Sequence, residues 1–178
     1  MPRSIRRVVT GLDAQGRSVW ASDEVATTIW GNAKLGTRIT EIWRIPRLPP
    51  DVHDDHAPRD VQVWPSPGGL VFRMAELPPK SVYRQHPEEI PKGPDGKPVD
   101  IDDKNFGLHA SDTIDLMVVI EGELWAYQKD SDKGVLLKAG DTFIMRGTKH
   151  SWHNRSDKPC LYAVVLVDAT GRPKTDGH

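Results

Sequence analysis

The sequence predicts an all-β fold, a small antiparallel β-barrel, and three observations predict it. Fifteen Pro and fifteen Gly punctuate the whole chain, breaking it into pieces suited to short strands joined by turns. No stretch keeps a sustained helical period. From Ser111 onward, about six short β-branched and aromatic runs fall within roughly sixty residues, the spacing of a sandwich or barrel.

The elements follow in order. Arg6 to Glu24 reads as a hairpin, RRVVTG and SVWAS flanking a turn with Asp13 and Gly16. Thr37 to Ile45 (TRITEIWRI) alternates. Ile39, Glu41, Trp43 and Ile45 fall on one face and Arg38, Thr40, Ile42 and Arg44 on the other, a strand with one partly wet face. Pro46 to Gly69, rich in Pro, Asp and His, is a long surface loop. The strand LVFRMAEL at Leu70 to Leu77 stops at Pro78-Pro79. His86 to Gly107, with four prolines, three glycines and many charges, has little to bury. Its place before His109 suits a lid or an ordinary flexible insertion. The C-terminal series is TIDLMVVI, a turn in EGEL, WAYQ, a polar turn KDSDKG, two strands around Ala139-Gly140-Asp141, the turning segment RGTKHSWHN, and CLYAVVLVDA. One domain over 1–178 is expected: strands and loops in 1–107 complete the barrel, 108–169 is its core, and 170–178 is a frayed tail.

Composition narrows the function. The 178 residues hold 37% hydrophobic and 28% charged side chains with a formal net charge of -1. No stretch concentrates Lys and Arg, so nucleic acid is not an expected partner. No run approaches the ~20 apolar residues of a membrane span, and the opening MPRSIRRVVTG lacks the apolar core of a secretion signal. The lone Cys160 excludes an internal disulfide, fits a reducing cytoplasm, and reads as a buried small hydrophobe opening an apolar run. The apolar N-terminal strands and open sheet edges predict a homodimer.

Three local patterns point to one interior site. In His109-x5-Asp115-x6-Gly122, period two places His109, Ser111, Thr113, Asp115 and Met117 on one face. Gly140-Asp141 turns between two strands. In Gly147 to Asn154, His150, Trp152 and Asn154 share a face.

These patterns resemble the two motifs of the cupin superfamily. The first has the form G-x5-H-x-H-x3,4-E-x6-G; His109 falls on its first histidine, Ser111 on the second, Asp115 on the glutamate and Gly122 on the closing glycine. The second has the form G-x5-P-x-G-x2-H-x3-N. Gly140 opens it, one residue closer to Gly147 than that form, Met145 stands at the proline, and His150 and Asn154 match the last two positions. The likeness covers about 108–169 and extends to a small single-domain set carrying TIDxxVVxxGE and RGTxHxWxNRSDxP. It implies a double-stranded β-helix, or jelly roll, with extra N-terminal strands. It also implies a divalent transition metal (Fe, Zn, Mn or Ni) held by His109, His150 and Asp115, a two-histidine, one-carboxylate set with open positions for water and substrate. Two departures weigh on that expectation: a ligand histidine has become Ser111, and Asp115 is one methylene shorter than Glu. A metal-free polar pocket is the alternative. There desolvation would raise the Asp115 pKa and suit acid–base work beside His150. Ser111, Met117 and Trp152 are the expected pocket lining.

Other candidates are weaker. His53 and His56 form H-D-D-H in a loop and read as solvated. His153 points away from His150 on an extended segment and reads as exposed or interfacial. His86 approaches the barrel mouth at most. Trp125 and Trp152 read first as packing residues, with Trp152 beside His150. Gly134, Gly140 and Gly147 are turn glycines. Two functions follow: a metal-dependent enzyme on a small organic molecule (dioxygenase, isomerase, decarboxylase, lyase or hydrolase), or a non-catalytic module that binds such a molecule. No helix-turn-helix segment suggests a regulator in the same chain.

Overall fold

The computed structural model describes residues 3–172, so the expected frayed tail lies largely outside the described residues. The strands are β1 (Arg6–Leu12), β2 (Ser18–Val25), β3 (Ile29–Trp30), β4 (Arg38–Ile45), β5 (Leu70–Leu77), β6 (Thr113–Glu121), β7 (Glu123–Gln128), β8 (Val135–Lys138), β9 (Thr142–Arg146), β10 (His150–His153) and β11 (Cys160–Asp168). A short helix α1 (Lys80–Gln85) and a 3₁₀ turn (Pro87–Glu89) interrupt them. No described helix is long and apolar enough to cross a membrane.

A large antiparallel sheet runs β3-β4-β5-β11-β6-β9, and a small one runs β10-β7-β8. His109 extends the small sheet by an isolated bridge to His150. From β5 onward the chain visits the sheets in the order large, small (His109), large, small, small, large, small, large. That is the jelly roll, the double-stranded β-helix of cupins, which closes a barrel by pairing distant strands. β3 and β4 lengthen the large sheet as expected, whereas β1 and β2 pair only with each other as a separate hairpin. Gly122, at φ +79°, makes the β6–β7 turn beneath Pro159, whose carbonyl would sit 2.8 Å from any Cβ there.

Between the sheets lies a core of Met117, Val119, Leu124, Ala126, Leu137, Cys160, Val164 and Leu166. Burying one such Leu contributes about 1.5–3 kcal/mol. The inward rows are set by register: Asp115 beside Leu166, Met117 beside Val164, Val119 beside Tyr162, then Val164 beside Arg73 and Arg73 beside Glu41.

Three expectations are corrected. In β4 the register shifts between Glu41 and Trp43. This bulge moves Arg44, rather than Trp43, onto the face of Ile39 and Glu41, because the extra residue breaks the two-residue alternation. Glu41 on that face is fully buried. Segment 86–107 is packed: Ile101 is buried, the Lys104 carbonyl accepts hydrogen bonds from Ser151 and His153, and Arg84 pairs with Asp102 at 2.8 Å. It therefore covers the outer face of β10, and His153, expected exposed, is 1% exposed beneath it.

Candidate functional site

β10 carries His150 and Trp152 into the barrel, and Gly147, at φ +62°, turns the chain into that strand. His109 and His150 exchange both backbone hydrogen bonds, at 3.0 and 2.9 Å. The pairing stacks their side chains on one face, with ring centroids 4.3 Å apart. Each ring is held the same way. His109 Nδ1–H donates to the Gly107 carbonyl at 2.8 Å, and His150 Nδ1–H donates to the Thr148 carbonyl at 2.9 Å. A carbonyl cannot donate, so both Nδ1 atoms carry a proton, and in the neutral form of each ring Nε2 is the acceptor. His150 is 1% exposed, while His109 lies at the solvent-open rim. Burial pushes the His150 imidazole down to about 4, against the backbone bond to Thr148, with His109 lowering it further.

Across the barrel, Ser111, Thr113 and Asp115 share the inner face of β6 and its approach, as period two predicts. Ser111 Oγ and Thr113 Oγ1 are 2.6 Å apart, and Thr113 donates to Asp115 Oδ1 at 2.6 Å. Burial raises the Asp115 carboxyl; the Thr113 bond, then the charges of His109 and Arg73, act the other way. Trp152 packs edge-on to His150 at 5.0 Å and to Phe143 at 5.3 Å, resting on the core that includes Met117. A cleft of about 610 Å³ lies next to the site, walled by residues that include Thr113, Ile114, Gln128, Arg146 and Thr148; His109, Asp115 and His150 are not in its wall.

The expected metal can be tested against these donors. Two imidazoles with Nδ1 anchored and Nε2 free fit two ligands. The third does not join them: among the described residues no group of three His, Cys, Asp or Glu is placed to hold an ion. The Asp115 oxygen nearest Thr113 is engaged, and Ser111, at the position of the missing histidine, is held by Thr113. The described residues thus supply an anchored histidine pair and a carboxyl bonded by Thr113.

The remaining candidates stand apart. His53 is exposed. His56 packs edge-on to Trp43, 6.0 Å away, with a buried, unpartnered Nε2. His86 lies 3.5 Å from Glu88. Trp125 and Tyr127 stack under Arg155. Gly134 is more than a turn residue: a Cβ there would meet the Tyr127 ring at 2.4 Å. Cys160 is fully buried, and burial pushes its thiol up to about 11.

The residues not anticipated are charges inside the large sheet. Glu41 is fully buried and accepts from Arg44 Nε at 2.7 Å. Arg73, 5% exposed, donates to the carbonyls of Gln62 and Val63, pinning the 46–69 loop across the barrel. Its place between Val71 and Ala75 in an alternating strand was the available signal.

No known family profile matches the chain. It is 46% identical over 59 residues to oryzines biosynthesis cluster protein J of Aspergillus oryzae, 33% of this chain and 32% of that protein. Over 49 residues it is 43% identical to phomopsin biosynthesis cluster protein C' of Diaporthe leptostromiformis, 28% of this chain and 25% of that one. The matches thus span about a third or less of these relatives. A solved cupin 2 conserved barrel domain protein from Salinispora arenicola overlaps 78% of this chain and 81% of its own, at 13% identity and a TM-score of 0.41. The fold assignment rests on the strand order above.

Proposed function

We propose that this barrel binds a small organic molecule between the His109–His150 pair and Asp115 without a metal ion, as a binding module rather than a metalloenzyme. The observation that carries the reading is the matched anchoring of the two rings. Both present Nε2 as acceptors, so the molecule must bring hydrogen-bond donors, such as hydroxyl or amine groups, to that side. An imidazole lowered to about 4 is a poor base at neutral pH but still an acceptor, which favours recognition over proton abstraction. Asp115 closes the opposite wall as a second polar contact, and Trp152 supplies an aromatic surface beside His150. The segment shared with proteins of two biosynthesis clusters supports a small-molecule role.

The test is titration of the chelator-treated protein with phenol and catechol, followed by tryptophan fluorescence and His150 Nε2 chemical shift. Saturable binding that His150→Ala abolishes, unchanged by EDTA, is expected. Binding that appears only after loading with Fe²⁺, Mn²⁺, Ni²⁺ or Zn²⁺ would restore the metal-dependent reading and overturn this one.

A further inference from the structure

Arg73 poses a problem of charge that the described residues do not solve. Its side chain lies on the inner face of β5, between Val164 on one neighbouring strand and Glu41 on the other, and is 5% exposed. A guanidinium taken so far from water is normally matched by a carboxylate in hydrogen-bonding contact. Glu41, the adjacent acid, is instead engaged by Arg44 at 2.7 Å, and Arg44 also reaches Asp60 at 2.8 Å. Among the described residues Arg73 has no ion pair. Its two hydrogen bonds go to neutral carbonyls on one terminal nitrogen, and its Nε is buried with no partner.

A second buried donor lies beside it. The Arg73 guanidinium carbon is 5.8 Å from the Trp30 ring centroid, and the Trp30 indole N–H is likewise buried without an acceptor. Two orphaned buried donors are costly unless something accepts from them. Desolvation lowers the Arg73 pKa, and the charges of Glu41 and Asp115 offset it only in part. Register ties Arg73 to the proposed pocket: Arg73 lies beside Val164, and Val164 beside Met117, the next inward position on β6 after Asp115.

We infer that Arg73, with the Trp30 indole beside it, is the anchor for a carboxylate carried by the pocket's ligand. The bound molecule is then a small hydroxy- or amino-carboxylic acid. Its anionic end supplies the hydrogen-bonded carboxylate that Arg73 lacks, and its donor end meets the Nε2 atoms of His109 and His150. This rests on the binding reading above and adds the charge and polarity of the ligand.

The test uses the full chain and three families of probe: phenol, the three hydroxybenzoates, and the matching hydroxybenzamides. Calorimetric titration at pH 7 and the ¹⁵N–¹H resonance of the Trp30 indole are recorded together. At least one hydroxybenzoate should bind tenfold or more tighter than its amide and shift the Trp30 indole resonance downfield. Trp30→Phe, which keeps a ring of similar shape, should lose several-fold of that preference, and Arg73→Met should remove it while leaving phenol binding in place. Acid and amide binding equally, with both lost in His150→Ala, overturns the Arg73 anchor and leaves the pocket standing. Phenol failing to bind while an acid binds through Arg73 overturns the histidine side alone. No response to any acid overturns the anchor, and should Arg73→Met not fold, Trp30→Phe alone decides it.

Discussion

Replacing His150 with Asn should flatten the acid dependence of stability, and the size of the effect can be worked from the site. In the unfolded chain the imidazole takes up a proton near 6.5; in the folded barrel it does so only at about 4. Between those values the unfolded state binds the extra proton, so stability falls as pH falls, by about 1.4 kcal/mol per pH unit. The loss begins below about pH 6.5 and is complete below about pH 4, totalling about 3 kcal/mol; from pH 7 to pH 4.5 it is about 2 kcal/mol. Asp115, whose carboxyl is raised in the fold, acts in the opposite direction, gaining stability as pH drops through its folded value. His153, lowered by burial, acts in the same direction as His150. Both groups are common to the two proteins, so the wild type minus His150→Asn difference isolates His150. The Asn amide nitrogen can keep the bond to the Thr148 carbonyl, which favours a folded variant. Urea unfolding at pH 7 and pH 4.5 gives the four free energies. A wild-type loss exceeding that of the variant by about 2 kcal/mol is the expected result. Equal losses would show that His150 is not held neutral by burial, and the account of the pocket would fail.

Other outcomes follow from the same packing. Arg44→Met should destabilise the protein by about 3–5 kcal/mol because it strands the fully buried Glu41 charge, and adding Glu41→Gln should recover much of that in a chemical melt. Gly122→Ala should cost at least about 1–3 kcal/mol, since φ +79° and the Pro159 carbonyl at 2.8 Å both oppose a side chain; a neutral melt would contradict the turn. Cys160, pushed up to about 11 and fully buried, should resist a thiol reagent at pH 8 in the native protein and react only on unfolding. The exposed Ile114, Leu116, Ile120 and Ile144 on the outer side of β6 and β9, with Trp20 at 75% exposure on the hairpin, predict a homodimer by light scattering, which Leu116→Lys should weaken.

Much of the barrel is legible because its signals are local. Turn glycines mark the ends of β6, β8 and β9, and period two puts Ser111, Thr113 and Asp115 on one inner face. The His109–His150 pairing needed two motifs in order, since 41 residues separate the members, and neither alone says that the rings meet. What escaped was set by contacts across the chain. The bulge at Ile42 has no sequence mark and reassigns Arg44. His153 looked exposed because alternation gave its face correctly but could not show that segment 86–107 covers that face. Asp115 took its motif position, yet it is one methylene short and bonded by Thr113, and among the described residues no three-ligand group forms. Arg73 was visible as an Arg on an inward row, and its meaning depended on learning that Glu41 belongs to Arg44.

The central claim is that two metal-free imidazoles stand side by side with their Nε2 atoms open. Long-range ¹H–¹⁵N correlation of the histidine rings in chelator-treated protein at pH 7 tests it directly. Nδ1 protonated and Nε2 unprotonated in both His109 and His150 is the predicted result. A protonated Nε2 in either ring, or Nε2 signals that change when a stoichiometric divalent metal is returned, would contradict it.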